Sequence, residues 1–356
     1  MPADQKIDRI LCLMINGIGD YLCVTPTLRA LRTQFPDAQI ALVVRPVLTD
    51  MVSANPDVDQ VILFEADSPR HRLNAFKCIY QYRATLWIDL HVPTFNTVSS
   101  NDRDFFRNKL LMICSRAPIK VAYGVPQLKR WLSHPLTVPS VDRLMSTNIV
   151  ETTLALVGGE GSAAYTKRIT ITAQDVQWAD DHLGKTGSYI GFFTGSRQAA
   201  DIWPSELALD FLRRVFKSLP DYKVVLIGGT GEIEFASMVV ADDELKPNVV
   251  NLVGQASFGQ TSAILKRCSA FVSTDSGPLH IADAVGTQIV ALFSSKNYVE
   301  VWRPVSPGAR LLNHQIDCGP CFKADCDRDN ACMRMITPQS VLDLLREVLQ
   351  QNADSL

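Results

Sequence analysis

Short apolar runs that stop at glycine or hydroxyl residues, each followed by a pattern at helical spacing, recur along the whole chain and leave few folds open to it. Residues 10–15, 39–44, 60–64, 85–90 and 119–122 are runs of strand length, with helical spacing between them at 22–35, 47–54, 73–82 and 104–114. The second half repeats the alternation at 188–193, 223–227, 248–252 and 270–272. Strands alternating with helices predict parallel sheets covered by helices on both faces, the α/β class. At 356 residues there is chain enough for two such domains. The small-residue tract Gly158-Gly159-Glu160-Gly161-Ser162-Ala163-Ala164 reads as a linker and sets the boundary near residue 165. The expected domains are therefore 1–165 and 166–335. A final helix over 336–356 is opened by Thr337-Pro338, with Val341, Leu344, Leu345, Val348 and Leu349 on one apolar face.

Parallel strands gather their C-terminal ends on one edge, and that edge is where open α/β sheets bind ligands. Four successive strands of the second half end in small or polar residues: Thr194-Gly195-Ser196-Arg197, Gly228-Gly229-Thr230-Gly231-Glu232, Gly254-Gln255-Ala256-Ser257-Phe258, and Ser273-Thr274-Asp275-Ser276-Gly277-Pro278-Leu279-His280. In the last of these Asp275 or Ser276 can cap the helix, Gly277 permits close backbone approach, and Pro278 suits the first helical turn. Taken alone it is a capped turn; beside three similar ends it predicts a nucleotide-like ligand held by helix-terminal amides. His280 either packs locally or approaches a phosphate. In the first half the turn Asn16-Gly17-Ile18-Gly19-Asp20 lacks the spacing of a dinucleotide fingerprint. It does place the carboxylate of Asp20 at a helix start, either as a first-turn acid favoured by the dipole or as a group for proton chemistry.

A net charge of −2 gives no bulk attraction to nucleic acid. The first half nonetheless carries a basic bias (Arg70, His71, Arg72, Arg103, Arg107, Lys109, Arg116, Lys120, Lys129, Arg130), which suits a solvated helix face or a groove for an anionic acceptor. The first apolar run is too short for a signal segment or a span, so the expected location is cytoplasmic, with peripheral contact at a membrane surface. Five of the nine cysteines lie in apolar or amphipathic contexts. Cys318, Cys321, Cys326 and Cys332 are clustered, and their spacing fits either a tetrahedral thiolate site or a reduced loop, a disulfide being disfavoured in a reducing compartment.

These stretches together resemble glycosyltransferase family 9, the ADP-heptose:lipopolysaccharide heptosyltransferases. The likeness lies in Gly19-Asp20 with Thr25-Pro26 and Leu28, in Gly228-Gly229 with Glu232, and in Gly254 through Phe258. It continues in Asp275-Ser276-Gly277-Pro278-Leu279-His280 with Ala282, Ala284 and Gly286, in Trp302-Arg303-Pro304, and in Cys318-Gly319-Pro320-Cys321-Phe322-Lys323. The resemblance implies a GT-B fold, two Rossmann-like domains facing across a cleft. The N-terminal domain would bind the acceptor and the C-terminal domain the nucleotide sugar.

It also implies an inverting, metal-independent transfer of a heptose from ADP-heptose to the lipopolysaccharide core, with Asp20 as catalytic base and no cofactor. Donor contacts fall to Thr194, Ser196, Arg197, Gly229, Glu232, Asp275, Ser276 and Gly277: amides and hydroxyls for the diphosphate, Glu232 for the ribose. The implied partners are the nucleotide sugar and a lipid-linked saccharide, at the inner face of the cytoplasmic membrane. Another nucleotide sugar, serving O-antigen, capsule or protein glycosylation, keeps the same fold and reaction; a non-catalytic nucleotide-sugar-binding protein keeps only the fold. One position departs from the pattern. Asp201 stands two residues before Trp203-Pro204, where the family usually has a lysine, so Arg197 would have to supply the missing charge. Similar cysteines in relatives that are not metalloenzymes favour the reduced loop.

Overall fold

The computed structural model describes residues 6–92, 103–126, 128–159 and 166–353. The chain divides into two compact units, Met1–Arg168 and Ile169–Leu356. Residues 160–164 of the linker-like tract lie outside the described residues.

The first unit runs β1 (Arg9–Leu13), α1 (Ile18–Gln34), β2 (Gln39–Val44), α2 (Thr49–Ser53), β3 (Gln60–Leu63), α3 (Pro69–Tyr82), β4 (Leu86–Asp89), α4 (Arg103–Ser115), β5 (Ile119–Tyr123), β6 (His134–Leu136), α5 (Val141–Ser146) and α6 (Ile149–Ala155). Its six strands form one parallel sheet in the order β3-β2-β1-β4-β5-β6. The chain leaves β1 toward one edge and returns to β4 on the other flank. β1 and β4 therefore bracket the switch point, the place where such sheets open a crevice. β1 and β4 are apolar along almost their whole length because helices cover both sheet faces.

Helix α1 starts four residues earlier than its apolar spacing suggests, which leaves Pro26 inside the helix and not near its start. Proline cannot donate to the carbonyl four residues back. Here the Thr25 hydroxyl donates to that carbonyl, Leu22 O, at 2.7 Å. The same Oγ1 accepts the Arg168 amide at 3.0 Å, tying the end of the unit to α1. The stretch 126–146, irregular by sequence, contains β6. This three-residue strand is an edge strand, where the proline at 135 is tolerated and the apolar signal is weak.

The second unit runs α7 (Ala173–Leu183), β7 (Ser188–Phe193), α8 (Ser205–Ser218), β8 (Tyr222–Leu226), α9 (Ile233–Ala241), β9 (Val249–Asn251), α10 (Phe258–Arg267), β10 (Ala270–Thr274), α11 (Gly277–Val285), β11 (Ile289–Phe293), α12 (Val299–Trp302), β12 (Arg310–Asn313), α13 (Ala331–Arg334) and α14 (Pro338–Ala353). Its parallel sheet has the order β12-β11-β10-β7-β8-β9, so the switch point falls between β7 and β10. At the centre Phe211 stacks on Phe192 with ring centroids 5.4 Å apart and meets Trp203 edge-on at 5.9 Å. The Trp203 indole N–H donates to Ile336 O at 3.0 Å. Helix α14 lies along α8 and β10–β12, burying Val341, Leu345 and Val348 completely. Each such side chain contributes about 1.5–3 kcal/mol.

Candidate functional site

Two clusters of polar residues stand at the two switch points. In the first unit, the turn between β1 and α1 leads to Asp20, the third residue of α1. Its Oδ2 accepts the Gly17 N–H at 3.2 Å and its Oδ1 accepts from Asn16 Nδ2 at 3.4 Å, so the carboxylate is held from the turn side. Across the switch point, β4 ends at Asp89, a residue paired with Leu13 of β1 and only 3 % exposed. Asp89 Oδ1 accepts the His91 N–H at 3.1 Å and lies 2.5 Å from His91 Nδ1; its Oδ2 accepts Asn108 Nδ2 from α4 at 3.1 Å. His91 Nε2 in turn lies 3.1 Å from Asn16 Oδ1. Sequence reasoning picked out Asp20 but not Asn16, Asp89, His91 or Asn108. Asp89 closes an apolar run, as Asp20 follows one, and that shared position was the available signal.

In the second unit the ends of β10, β7 and β8 lie side by side. The Thr274 hydroxyl at the end of β10 donates to Gly195 O after β7 at 2.6 Å. Ser276 occupies the N-cap position of α11, but its hydroxyl donates back to Thr274 O at 3.2 Å instead of capping the helix. Proline at the helix start removes one donor, and the remaining amides of the first turn have no acceptor within the helix. Thr194 is buried, Ser196 half-buried with its Oγ accepting the Gln198 N–H at 3.1 Å, and Arg197 exposed.

Glu232 repeats in this unit the arrangement of Asp20 in the first. Its Oε2 accepts the N–H of Gly229, three residues earlier, at 2.8 Å. The carboxylate lies against Gly195 and Gly228; a Cβ on Gly195 would overlap it, and Gly228 has a φ of 152° that a side chain would strain. Burial raises the Glu232 pKa above the usual carboxylate range, although the Gly229 amide works in the opposite direction. Thr194, Ser196, Gly229, Glu232, Ser276 and Gly277 thus share three adjacent strand ends, with Asp275 in the turn between Thr274 and Ser276.

His280 is buried, its ring 6.4 Å from that of Trp302, in keeping with the packing reading. Asp201 is buried as well. Lys296, from the loop after β11, places Nζ 2.6 Å from Asp201 Oδ2 and also donates to Gln198 Oε1, while Ser294 Oγ donates to Asp201 Oδ1 at 2.5 Å. The acid at this position is thus neutralised by a lysine from another loop. Of the clustered cysteines, Cys332 turns into the hydrophobic core beside Met333 and Ile336, away from a four-thiolate arrangement. Among the described residues no group of three or more His, Cys, Asp or Glu side chains could hold a metal ion.

Comparisons with known proteins agree with this architecture. The chain is 26% identical over 301 residues to lipopolysaccharide heptosyltransferase 3 of Escherichia coli, covering 81% of this chain and 84% of that protein. A glycosyl transferase family 9 structure from Veillonella parvula DSM 2008 superposes with a TM-score of 0.79 at 20% identity, covering 98% of this chain and 99% of that one. The E. coli heptosyltransferase WaaC with ADP-2-deoxy-2-fluoro heptose superposes with a TM-score of 0.65 at 15% identity, covering 95% and 99%. These likenesses identify the GT-B type of fold. The family model for glycosyltransferase family 9 (heptosyltransferase) matches residues 110–332. Two doubly wound units of this type, together with that match over well over half of the chain, establish that the chain belongs to glycosyltransferase family 9 and is a glycosyltransferase.

Proposed function

We propose that the protein moves a heptose from ADP-heptose to the lipopolysaccharide core, with inversion and without a metal. The observation that carries this reading is the pair of switch points, one holding a fixed carboxylate and the other an amide-and-hydroxyl cradle backed by a second carboxylate. In the reaction the acceptor hydroxyl oxygen forms a bond to the anomeric carbon. The bond from that carbon to the diphosphate oxygen breaks, and its electron pair leaves with ADP. Asp20 takes the hydroxyl proton. Charge building on the leaving diphosphate is met by the amides of Ser276 and Gly277 at the α11 N-terminus and by the hydroxyls of Thr194 and Ser196, with Arg197 and Asp275 at the rim. Glu232, fixed by the Gly229 amide, accepts from the ribose hydroxyls.

The family name and the names of its relatives support the sugar, and the ligand of WaaC supports the nucleotide. The lipid-linked acceptor places the reaction at the inner face of the cytoplasmic membrane. Among the described residues no helix is long and apolar enough to cross a membrane, so contact there would be peripheral. An exposed apolar and basic face on α3 and α4 suits such contact.

The test is a transfer assay with ADP-heptose and a heptose-deficient core acceptor. Asp20→Asn is expected to lower kcat by about 10²–10⁴-fold with donor affinity unchanged, because a base acts in the transition state and not in donor binding. Wild-type turnover in Asp20→Asn would remove the proposed base, and failure to turn over ADP-heptose while using another nucleotide sugar would replace the donor.

A further inference from the structure

We infer that His91, anchored by Asp89, is a positioning residue for the Asp20 carboxylate and acts on it through Asn16. This rests on the reading of Asp20 as the base. The residues form one chain across the β1/β4 switch point, running from Asp89 Oδ1 through the His91 ring and the Asn16 side-chain amide to Asp20 Oδ1. The His91 side chain is 11 % exposed and that of Asp89 4 % exposed, so the far end of the chain is fixed in the interior while the Asp20 end is only half-buried.

Counting donors gives the direction of the two links made by Asn16. An ionised Asp20 only accepts, so the Asn16 NH₂ must face it and the Asn16 carbonyl oxygen must face His91. Nε2 therefore carries a hydrogen. Nδ1 lies 2.5 Å from a carboxylate oxygen of Asp89. The ring thus stands between two carboxylates, in direct contact with Asp89 and reaching Asp20 through the Asn16 amide. Two residues of α4 complete its polar surroundings. Asn108 Nδ2, from α4, donates to Asp89 Oδ2 and stands 3.2 Å from Nδ1, and Arg107 Nε and Nη2 donate to Asn108 Oδ1 at 3.2 and 3.1 Å. No other charged side chain is hydrogen-bonded to the ring among the described contacts.

The device positions the base: it fixes the Asn16 amide so that one Asp20 oxygen is held from behind, and a misplacement of about 1 Å at a reacting group can cost 10²-fold in rate.

The measurement is kcat and donor KM for wild type, His91→Gln, Asn16→Ala, the double variant and Asp20→Asn, each checked for a native melting curve. Expected is an about 10–100-fold loss of kcat in His91→Gln and in Asn16→Ala with donor KM unchanged. In the double variant the loss should be no larger than in the worse single one, since both act in one chain. Wild-type kcat in a folded His91→Gln, a loss there that appears in donor KM instead of kcat, or losses that multiply in the double variant would overturn the assignment. Should His91→Gln not fold, Asn16→Ala decides by the same two readouts, because it leaves the Asp89–His91 pair intact. Asp20→Asn separates the levels: full activity there fails the base itself, whereas the expected loss there beside an unaffected His91→Gln fails only this inference.

Discussion

Asp201 and Lys296 meet at 2.6 Å in the interior of the second unit, brought together from 95 residues apart in sequence. The pair accounts for an acid in this buried place, since the ammonium of Lys296, from the loop after β11, lies against it. Breaking a buried pair by removing one partner leaves an uncompensated charge and costs about 3–5 kcal/mol, whereas removing both costs less. Lys296→Met and Asp201→Asn should each lower the urea midpoint strongly, and the double variant should lie above the sum of the two losses. Additive losses in urea unfolding would mean that the two side chains do not depend on each other.

Donor binding should carry the titration of Glu232. Burial holds its carboxyl above the usual range, and the ionised form is the stronger acceptor for ribose hydroxyls. The sign follows: affinity is full above the raised pKa and falls as pH drops through it, at a higher pH than an ordinary glutamate would give. Calorimetric titration with ADP across this range checks the point. Glu232→Gln is expected to bind ADP about 10-fold more weakly at neutral pH and to lose the pH dependence.

Gly195 offers a separate handle on the same carboxylate. A Cβ at this position meets the carboxyl end of Glu232, a flexible group that can move, and not the backbone. Gly195→Ala should therefore melt within about 1 kcal/mol of wild type. ADP affinity should nonetheless fall toward that of Glu232→Gln, and combining the two changes should add little. Undiminished affinity in Gly195→Ala would show that Glu232 is not needed where the structure puts it.

The fold was largely legible because buried parallel strands are continuous apolar runs, and the runs before Asn16, Thr194, Gly228 and Ser276 are of that kind. Of the strands missing from the runs read, β6 and β12 are edge strands, where short length and polar residues blur the pattern, whereas β11 is a buried interior strand and its apolar run Ile289–Phe293 carried the signal. Acids one turn into a helix could be read at Asp20 and Glu232, since a glycine turn precedes each. Their supports could not. His91 joins Asn16 from 75 residues away, and Lys296 reaches Asp201 from another loop, and no spacing rule encodes such pairs. The start of α1 was misjudged because the apolar spacing begins only at Leu22, whereas the helix already starts at Ile18 within the glycine turn.

A last prediction concerns the outer face of α3 and α4. These helices run side by side, with Cys114 Sγ donating to Phe76 O at 3.2 Å and Arg116 Nη1 donating to the Tyr80 hydroxyl at 3.2 Å. Leu73 is 72% exposed and Phe106 63%, and Tyr80, Leu110 and Ile113 extend the same apolar stripe. Helix α3 carries Arg70, Arg72 and Lys77 and no carboxylate, and α4 adds Arg107 and Lys109 against one acid. Apolar side chains flanked by cations suit an anionic bilayer surface, where each basic residue contributes about 1 kcal/mol and each buried apolar group adds to it. Sedimentation with vesicles of phosphatidylcholine and phosphatidylglycerol should carry the protein down at low salt, and vesicles of phosphatidylcholine alone should not. Leu73→Asp with Phe106→Asp should abolish the association while leaving the thermal midpoint near wild type, since neither side chain is in the core. Equal binding by that variant, or association of the free protein into dimers through this face in place of vesicle binding, would assign the stripe to another partner.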